Sequence, residues 1–163
     1  MCQVYFTVTV DGKQIRSVEN KDPRAFKDVK VFAGDNFNHA SDASYRNLIW
    51  ENIGQSGVVK RNTEIATIPS WGPQFRVSFD LKVNSRNRRE IWASVLSFKG
   101  NGAKHDFRTV GDRIPAIYYH KSGFLHFASG VNGNRNYVFN YPIKVKKWYS
   151  ITIEQKLSNG KVI

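Results

Sequence analysis

The residues best suited to bind a carbohydrate lie in two turn-like segments of the sequence. Trp71 stands in PSWGPQ, between residues that favour a turn, where a core tryptophan is less expected. The segment VNGNRNY, residues 131–137, brings amides, a guanidinium and a phenol close together. An aromatic ring can stack on the apolar face of a pyranose, while amides and charged groups can bond its hydroxyls. The predicted glycan site comprises Trp71, Arg113, His120, Asn132, Asn134, Arg135 and Tyr137.

A second group of residues is suited to bind a polyanion. Lys and Arg total 25 against 13 acidic residues, a formal charge of +12 that favours anionic partners. Arginines cluster in NSRNRREIW and lysines in PIKVKKW, and arginine can engage sulfate or carboxylate with two hydrogen bonds. Aromatic residues alternate as core-facing residues do, which argues against a nucleic-acid surface. The predicted site for a sulfated polysaccharide comprises Arg86, Arg88, Arg89, Lys144, Lys146 and Lys147.

Each of these groups also has an interpretation without a ligand. Trp71 can cover the edge of a β-sandwich, and the Asn-Gly run can serve only to turn the chain. The basic residues can form a solvated surface that holds no specific partner. These alternatives stay open on the sequence alone.

The carboxylates do not form the pair that a glycoside hydrolase needs. Retaining enzymes of this kind place two carboxylates about 5 Å apart on one face. Here Glu51, Glu64, Glu90 and Glu154 stand isolated, and Asp80 is the only carboxylate in FRVSFDLKV. Four histidines leave a Ser-His-Asp arrangement open, but no nucleophile elbow marks one. We therefore expect a protein that is not an enzyme.

Three aspartates are candidates for a calcium site. Asp35, Asp42 and Asp112 lie in turn-rich segments, and Asn36 follows the first of them. Calcium takes six to eight oxygens from several converging carboxylates, and these spacings match no EF-hand loop. Cys2 is the only cysteine, which excludes an internal disulfide and a cysteine-based zinc cluster. We expect no cofactor, with calcium at the three aspartates as the alternative.

The elements that must position these residues are strands. Short apolar–polar alternating runs separated by Gly, Asn, Asp and Pro predict about eleven strands and no helix. No run of about eighteen apolar residues exists, so we expect no transmembrane segment. The pattern predicts one all-β domain over residues 1–163, an antiparallel sandwich or barrel. The predicted strands cover 4–10, 13–18, 28–33, 45–52, 58–68, 74–83, 91–98, 114–119, 124–129, 137–140 and 148–155.

Three segments resemble consecutive strands of the concanavalin A-like jelly roll of the laminin G, pentraxin and lectin group. They are RVSFDLKVNSRNRREIWASVLSFKGNG, GDRIPAIYYHKSGFLHFASGVNGN and KKWYSITIEQ. In that group the last of these strands leads through a hairpin into a strand that ends in V-D-G. The similar segment here, VYFTVTVDGKQIRSVEN, lies near the amino terminus. The resemblance therefore implies an antiparallel jelly-roll β-sandwich in circularly permuted order.

The permuted order divides the chain into three parts. Residues 1–53 resemble the usual carboxyl-terminal part, 54–57 resemble a linker, and 58–163 resemble the usual amino-terminal part. The strand 148–155 and the Asn-Gly turn after it call for a partner strand, and only three residues follow Gly160. We expect the partner to be the segment beginning at Val4, either within one molecule or from a second copy in a strand-swapped homo-oligomer. An engineered, a natural and an excised origin all fit this order.

These observations together predict a recognition or adhesion module. The resemblance implies an extracellular protein without catalysis, which binds a glycan or a sulfated polyanion. The competing hypothesis is a structural repeat or self-assembling module that pairs with protein neighbours through open strands.

Overall fold

A computed structural model describes residues 3–35, 37–50, 53–100 and 109–158. These residues form thirteen strands. The strands are β1 Gln3–Val10, β2 Lys13–Glu19, β3 Phe26–Phe32, β4 His39–Ala40, β5 Ala43–Trp50, β6 Ile53–Val58, β7 Glu64–Trp71, β8 Phe75–Val83, β9 Trp92–Lys99, β10 Ala116–His120, β11 Phe124–Val131, β12 Asn134–Pro142 and β13 Trp148–Ser158.

The strands form two sheets that pack face to face. The first sheet has the order β2-β1-β13-β8-β5-β6, and the second has the order β12-β11-β10-β9-β3-β7. Pairing is antiparallel throughout, except that the two-residue strand β4 lies parallel to β9. The predicted antiparallel β-sandwich is confirmed, whereas its jelly-roll connectivity and circular permutation stay predictions.

The alternation of apolar and polar residues sets which face of each strand lies inside. In β8, Val77, Phe79 and Leu81 are buried while the residues between them are partly exposed. Across the core, β10 contributes Ile117 and Tyr119. Because side chains alternate along a strand, the residues between these point away from the core. The outer face of the second sheet is itself largely covered, since Ser94, Ala116 and Tyr118 are at most 2% exposed.

Tight turns connect the strands of two β-hairpins. Asp11 and Gly12, between β1 and β2, have φ of 49° and 77°, and Asn132 and Gly133, between β11 and β12, have φ of 54° and 72°. Two consecutive residues with positive φ are typical of the type I′ turn, which suits the twist of paired strands. The Asn-Gly run of residues 132–133 therefore forms the turn between β11 and β12, as expected if the run serves to turn the chain.

The partner of the strand 148–155 is found within the same chain. Strand β1 pairs antiparallel with β13 from Gln3 opposite Ser158 to Val10 opposite Ile151. On its other side β13 pairs with β8, so both of its edges are occupied. The predicted Asn-Gly turn at residues 159–160 and the last residues of the chain lie outside the described residues.

Several elements differ from those predicted; β12, for example, covers Asn134–Pro142 where 137–140 was predicted. The run 58–68 is divided, because β6 ends at Val58 and β7 begins at Glu64 after a turn in which Asn62 has a φ of 54°. Residues 54–57, expected as a linker, lie within β6 and pair with β5. The short strand β4 was not predicted. No helix long and apolar enough to cross a membrane occurs among the described residues.

Candidate functional site

The structure corrects the expectation that Trp71 is an exposed sugar platform. Trp71 is the last residue of β7 and is only 3% exposed. Its ring stacks on Phe75 and contacts Phe98, both at 5.1 Å between centroids. Trp71 therefore belongs to the core at one end of the sandwich, where it also lines a pocket together with Asn134 and Arg135.

Two other residues of the predicted glycan site hold neighbouring strands together. Asn132 accepts a hydrogen bond from the Lys21 N–H at 2.6 Å and donates one to the Glu19 carbonyl at 2.7 Å. The Tyr137 hydroxyl accepts a hydrogen bond from Arg16 Nε at 2.6 Å. These contacts fasten the β11–β12 hairpin to β2, so Asn132 and Tyr137 have structural partners. The seven predicted residues do not form one site.

Arg113 and His120 lie instead beside a cleft on the outer face of the second sheet, which we call the outer-face cleft. It is lined by Phe37, Asn38, Trp92, Arg113, Tyr118 and His126, and its cavity volume is about 220 Å³.

The strand register explains why these side chains meet. His120 of β10 lies opposite Trp92 of β9 and Phe124 of β11, which forms one row across three strands. Tyr118 lies opposite His126 in the next row. The row after that contains small residues, Ala116 opposite Ala128, on the same face. A wall of rings therefore stands beside a row of small, buried residues.

Trp92 is at the centre of the aromatic wall. Its ring centroid lies 4.5 Å from that of His120, 4.8 Å from that of His126 and 5.9 Å from that of Phe124. His120 and Phe124 in turn stack at 4.4 Å. These contacts fix the indole in one orientation, while Trp92 stays partly exposed and lines the cleft. A fixed and partly exposed indole is suited to stack on the apolar face of a sugar.

Polar groups are arranged around the rings. His126 Nδ1 lies 2.7 Å from Asn140 Oδ1, a distance that fixes the imidazole against β12. Burial lowers the pKa of His126, and the nearby charges of Arg113 and His120 lower it further, against the Asn140 hydrogen bond. The ring nitrogens of His126 can therefore take part in hydrogen bonds as a neutral imidazole near pH 7.

Arg113 is buried, with 8% of its surface exposed, and two contacts hold its side chain in place. Its guanidinium donates from Nη1 to Asn136 Oδ1 at 2.7 Å, and its central carbon lies 4.7 Å from the centre of the Tyr118 ring. This cation–π contact and the hydrogen bond orient the planar fork of donors that arginine offers to carboxylates and hydroxyls.

The loop between β3 and β5 forms the other wall of the cleft, and Asp35 anchors it. Asp35 Oδ1 accepts hydrogen bonds from the N–H groups of Phe37 and Asn38 at 3.1 and 2.9 Å. Asp35 Oδ2 accepts from the Tyr118 hydroxyl at 3.2 Å and from Ser97 Oγ at 3.4 Å. The side chains that face the cleft from the loop are thus positioned by a carboxylate beneath them.

A buried charge pair accompanies these hydrogen bonds. Lys99 Nζ lies 3.8 Å from Asp35 Oδ2, and the two side chains are 4% and 0% exposed. Burial lowers the pKa of Lys99, and the charges of Asp35 and Asp112 oppose that shift. Burial likewise raises the pKa of Tyr118 to about 12, so its hydroxyl keeps its proton.

The three aspartates expected as calcium ligands have separate partners. Asp35 forms the contacts just described, Asp42 accepts a hydrogen bond from Ser85 Oγ at 2.6 Å, and Asp112 accepts two from Thr109. Within the described parts of the chain, no three His, Cys, Asp or Glu side chains come together in a way that could hold a metal ion.

The basic residues predicted to bind a polyanion do gather at one end of the sandwich. Arg86 lies next to Gly123, whose carbonyl accepts from the Ile143 N–H at 3.0 Å. The Lys146 N–H donates to the Val83 carbonyl at 2.7 Å, just before Arg86 in the chain. The loops that follow β8 and precede β13 are thereby joined. All six predicted cations are exposed there: Arg86, Arg88, Arg89, Lys144, Lys146 and Lys147.

Trp92 and His126 were missed by the sequence analysis. Both lie inside strands, where their alternation with apolar residues gives no sign of a ligand. A signal was nevertheless present, because Trp92, His120 and His126 are large or polar residues at positions between core residues. Such residues on adjacent strands are expected to share the outer face.

Comparison of this chain with protein-family models, with curated proteins and with solved structures found no match.

Proposed function

We propose that this protein is a recognition module of extracellular type that binds a glycan in the outer-face cleft without catalysing a reaction. The observation that supports it best is the indole of Trp92, which is held by three rings and lines a cleft whose walls also carry Arg113, Asn38 and His126. A sugar has apolar C–H faces and many hydroxyls, so it matches a site that offers both an aromatic surface and several polar groups.

The charges favour an acidic glycan. Arg113 lines the cleft, and none of the six described residues that line it is a carboxylate. The net charge of +12 would raise the local concentration of an anionic ligand. A uronic acid or a sulfated sugar therefore suits the cleft better than a neutral sugar.

The basic end of the sandwich supports binding of a longer polyanion. Arg86, Arg88 and Arg89 are exposed there beside the lysines of residues 144–147. Exposed cations of this kind act mainly through long-range attraction, which salt screens within about 10 Å at 0.1 M. We expect them to contribute to affinity for sulfated polymers but little to the choice of sugar.

Self-assembly through open strands has less support. β1 occupies the edge of β13 from Ile151 to Ser158 within one chain. Adhesion between proteins through this pair of strands would require that pairing to open.

A binding experiment with matched variants tests the proposal. Neutral, uronic-acid-containing and sulfated oligosaccharides would be immobilised, and binding measured for the native protein and for Trp92→Ala. We expect a loss of roughly tenfold or more, about 1.4 kcal/mol, since a stacked tryptophan is a frequent binding hot spot. The control is Trp148→Ala, a partly exposed tryptophan on the other sheet next to Arg46.

The outcomes distinguish binding in the outer-face cleft from binding at the basic end of the sandwich. If Trp92→Ala binds every oligosaccharide as the native protein does, the cleft is not the glycan site. If only the triple change of Arg86, Arg88 and Arg89 to alanine reduces binding, and only for sulfated sugars, the protein binds polyanions at the basic end. Binding to none of the oligosaccharides would contradict the glycan proposal itself.

A further inference from the structure

The loop between β8 and β9, residues 84–91, carries three arginines in the four-residue segment RNRR, residues 86–89. All three arginines are exposed, and so are the two residues that follow them. No hydrogen bond or ion pair joins the side chains of Arg88 and Arg89 to another described residue. Exposed loops of polar residues are the places where proteases most readily cut a folded protein.

The two ends of this loop are fixed, whereas the backbone between them is not. Asn84 and Ile91 form backbone hydrogen bonds, at 2.7 and 2.9 Å, with neighbouring segments. Between them, no backbone–backbone hydrogen bond joins residues 85–90 to any described residue. A protease binds its substrate as an extended strand through backbone hydrogen bonds, so free backbone groups suit it. The segment is held only by side-chain contacts, those of Ser85, Asn87 and Glu90.

A second basic segment, KVKK at residues 144–147, lies just before β13, and its backbone is held. The N–H groups of Lys144 and Lys146 donate hydrogen bonds at 2.8 and 2.7 Å. The bond after Lys147 leads directly into β13, whose first residue, Trp148, is paired with β8. The fold therefore presents one basic segment to a protease and withholds the other.

We propose that the β8–β9 loop is a processing site, at which an endoprotease with carboxylate-lined pockets hydrolyses the bond between Arg89 and Glu90. Carboxylates bind arginine with two parallel hydrogen bonds, so such pockets recognise the arginines at the first, third and fourth positions of the segment. The reaction consumes one water molecule and breaks the amide bond, which leaves a carboxylate on Arg89 and an amino group on Glu90. This inference is independent of the proposed glycan site.

The cut protein should stay together as a two-chain molecule. Residues 1–89 carry β1 to β8, and residues 90–163 carry β9 to β13. In the first sheet β13 lies between β1 and β8, and in the second sheet β9 lies beside β3. Each sheet thus contains strands of both fragments, and we expect the fragments to separate only when the protein unfolds.

Digestion of the folded protein with furin, a subtilisin-like endoprotease that cleaves after Arg-x-Arg-Arg, tests the inference. We expect two fragments whose masses place the cut after Arg89 and which elute together in size-exclusion chromatography until they are denatured. Arg89→Ala should abolish the cut. Arg76→Ala, at an exposed arginine within β8, is the control and should leave the cut unchanged.

A matched variant separates the effect of the fold from that of the sequence. The triple variant Lys144→Arg/Lys146→Arg/Lys147→Arg places the same Arg-x-Arg-Arg pattern in the held segment. In the folded variant we expect cleavage after position 147 to be roughly tenfold or more slower than after Arg89, because it requires local opening. Short peptides that span each segment of this variant should be cut at similar rates.

Three results would overturn the inference. They are a folded protein that stays intact while the peptide of its β8–β9 loop is cut, equal rates at the two segments of the folded triple variant, or a cut before Glu90 that persists in Arg89→Ala. Any of these would mean that the fold does not present this segment to such a protease. None of them would affect the glycan proposal, whose test rests on Trp92.

Discussion

Replacing Asp35 by asparagine should destabilise the protein strongly, although the change in shape is small. The asparagine can still accept the N–H groups of Phe37 and Asn38 with its one remaining oxygen. Its amide N–H₂ would then face Lys99, whose ammonium lies 3.8 Å from the carboxylate in the native protein. The substitution thus leaves a buried ammonium opposite a second donor.

Two energies bound the expected loss of stability: the cost of breaking a buried ion pair and the cost of deprotonating Lys99. Removing one partner of a buried ion pair typically costs about 3–5 kcal/mol. Lys99 can instead respond by releasing its proton, which at pH 7 costs about 4.6 kcal/mol from a reference pKa of about 10.4. Asp112 also interacts favourably with the Lys99 charge and is unchanged in the variant. We therefore expect a loss in the free energy of unfolding of about 3 kcal/mol, at the lower end of the range.

Urea denaturation at pH 7, followed by tryptophan fluorescence, measures this loss. We expect the midpoint to move to lower urea while the dependence of the unfolding free energy on urea concentration stays unchanged. The double variant Asp35→Asn/Lys99→Met is the control, because it also removes the buried Lys99 charge and should recover most of the stability. A loss below about 1 kcal/mol for Asp35→Asn, or no recovery in the double variant, would show that the buried pair does not determine the stability of this region.

Three further predictions concern the core, a turn and a histidine. Ile151→Ala, at a side chain with no exposed surface, should lower the free energy of unfolding by about 2–5 kcal/mol in urea denaturation; a loss under about 1 kcal/mol would argue against a tightly packed core there. Gly34→Ala should destabilise far more than Gly12→Ala in the same assay, because both glycines have positive φ but only at Gly34 would the new Cβ collide with the Lys60 carbonyl; equal losses would contradict the close approach. Burial lowers the pKa of His126, so the stability it contributes is full above its unfolded pKa of about 6.5 and is lost as the pH falls below that value and through the lower folded pKa. His126→Gln should reduce the loss of stability on acidification, and an unchanged pH profile would contradict the shift.

Much of the fold could be predicted from the sequence, because strands buried on one face alternate with a period of two. Strand β8 shows this alternation along its whole length, and its predicted bounds of 74–83 differ by one residue from those found. The Asp11-Gly12 and Asn132-Gly133 turns were identifiable because such pairs tolerate positive φ. The division of residues 58–68 was not, because Asn62 adopts positive φ in a segment without Gly or Pro.

The candidate site was less predictable, because it depends on which strands are neighbours. Arg113 and His120 were named as candidates from their residue types, and Trp92 lies beside His120 only through the pairing of β9 with β10. Trp71 was misassigned because the prolines and glycine around it indicated a turn. Pro69 in fact lies in β7, at the edge of its sheet, where a residue without an N–H is tolerated.

The central claim is that a glycan occupies the outer-face cleft, and the most direct measurement is to map where an oligosaccharide binds. Indole and imidazole resonances would be followed while an acidic oligosaccharide selected by the binding experiment is added to the native protein. The account predicts that signals of Trp92, His120 and His126 move together and saturate, while those of Trp148 and Trp71 stay in place. Movement confined to the loops around Arg86 or to Trp148, with Trp92 unchanged, would contradict it.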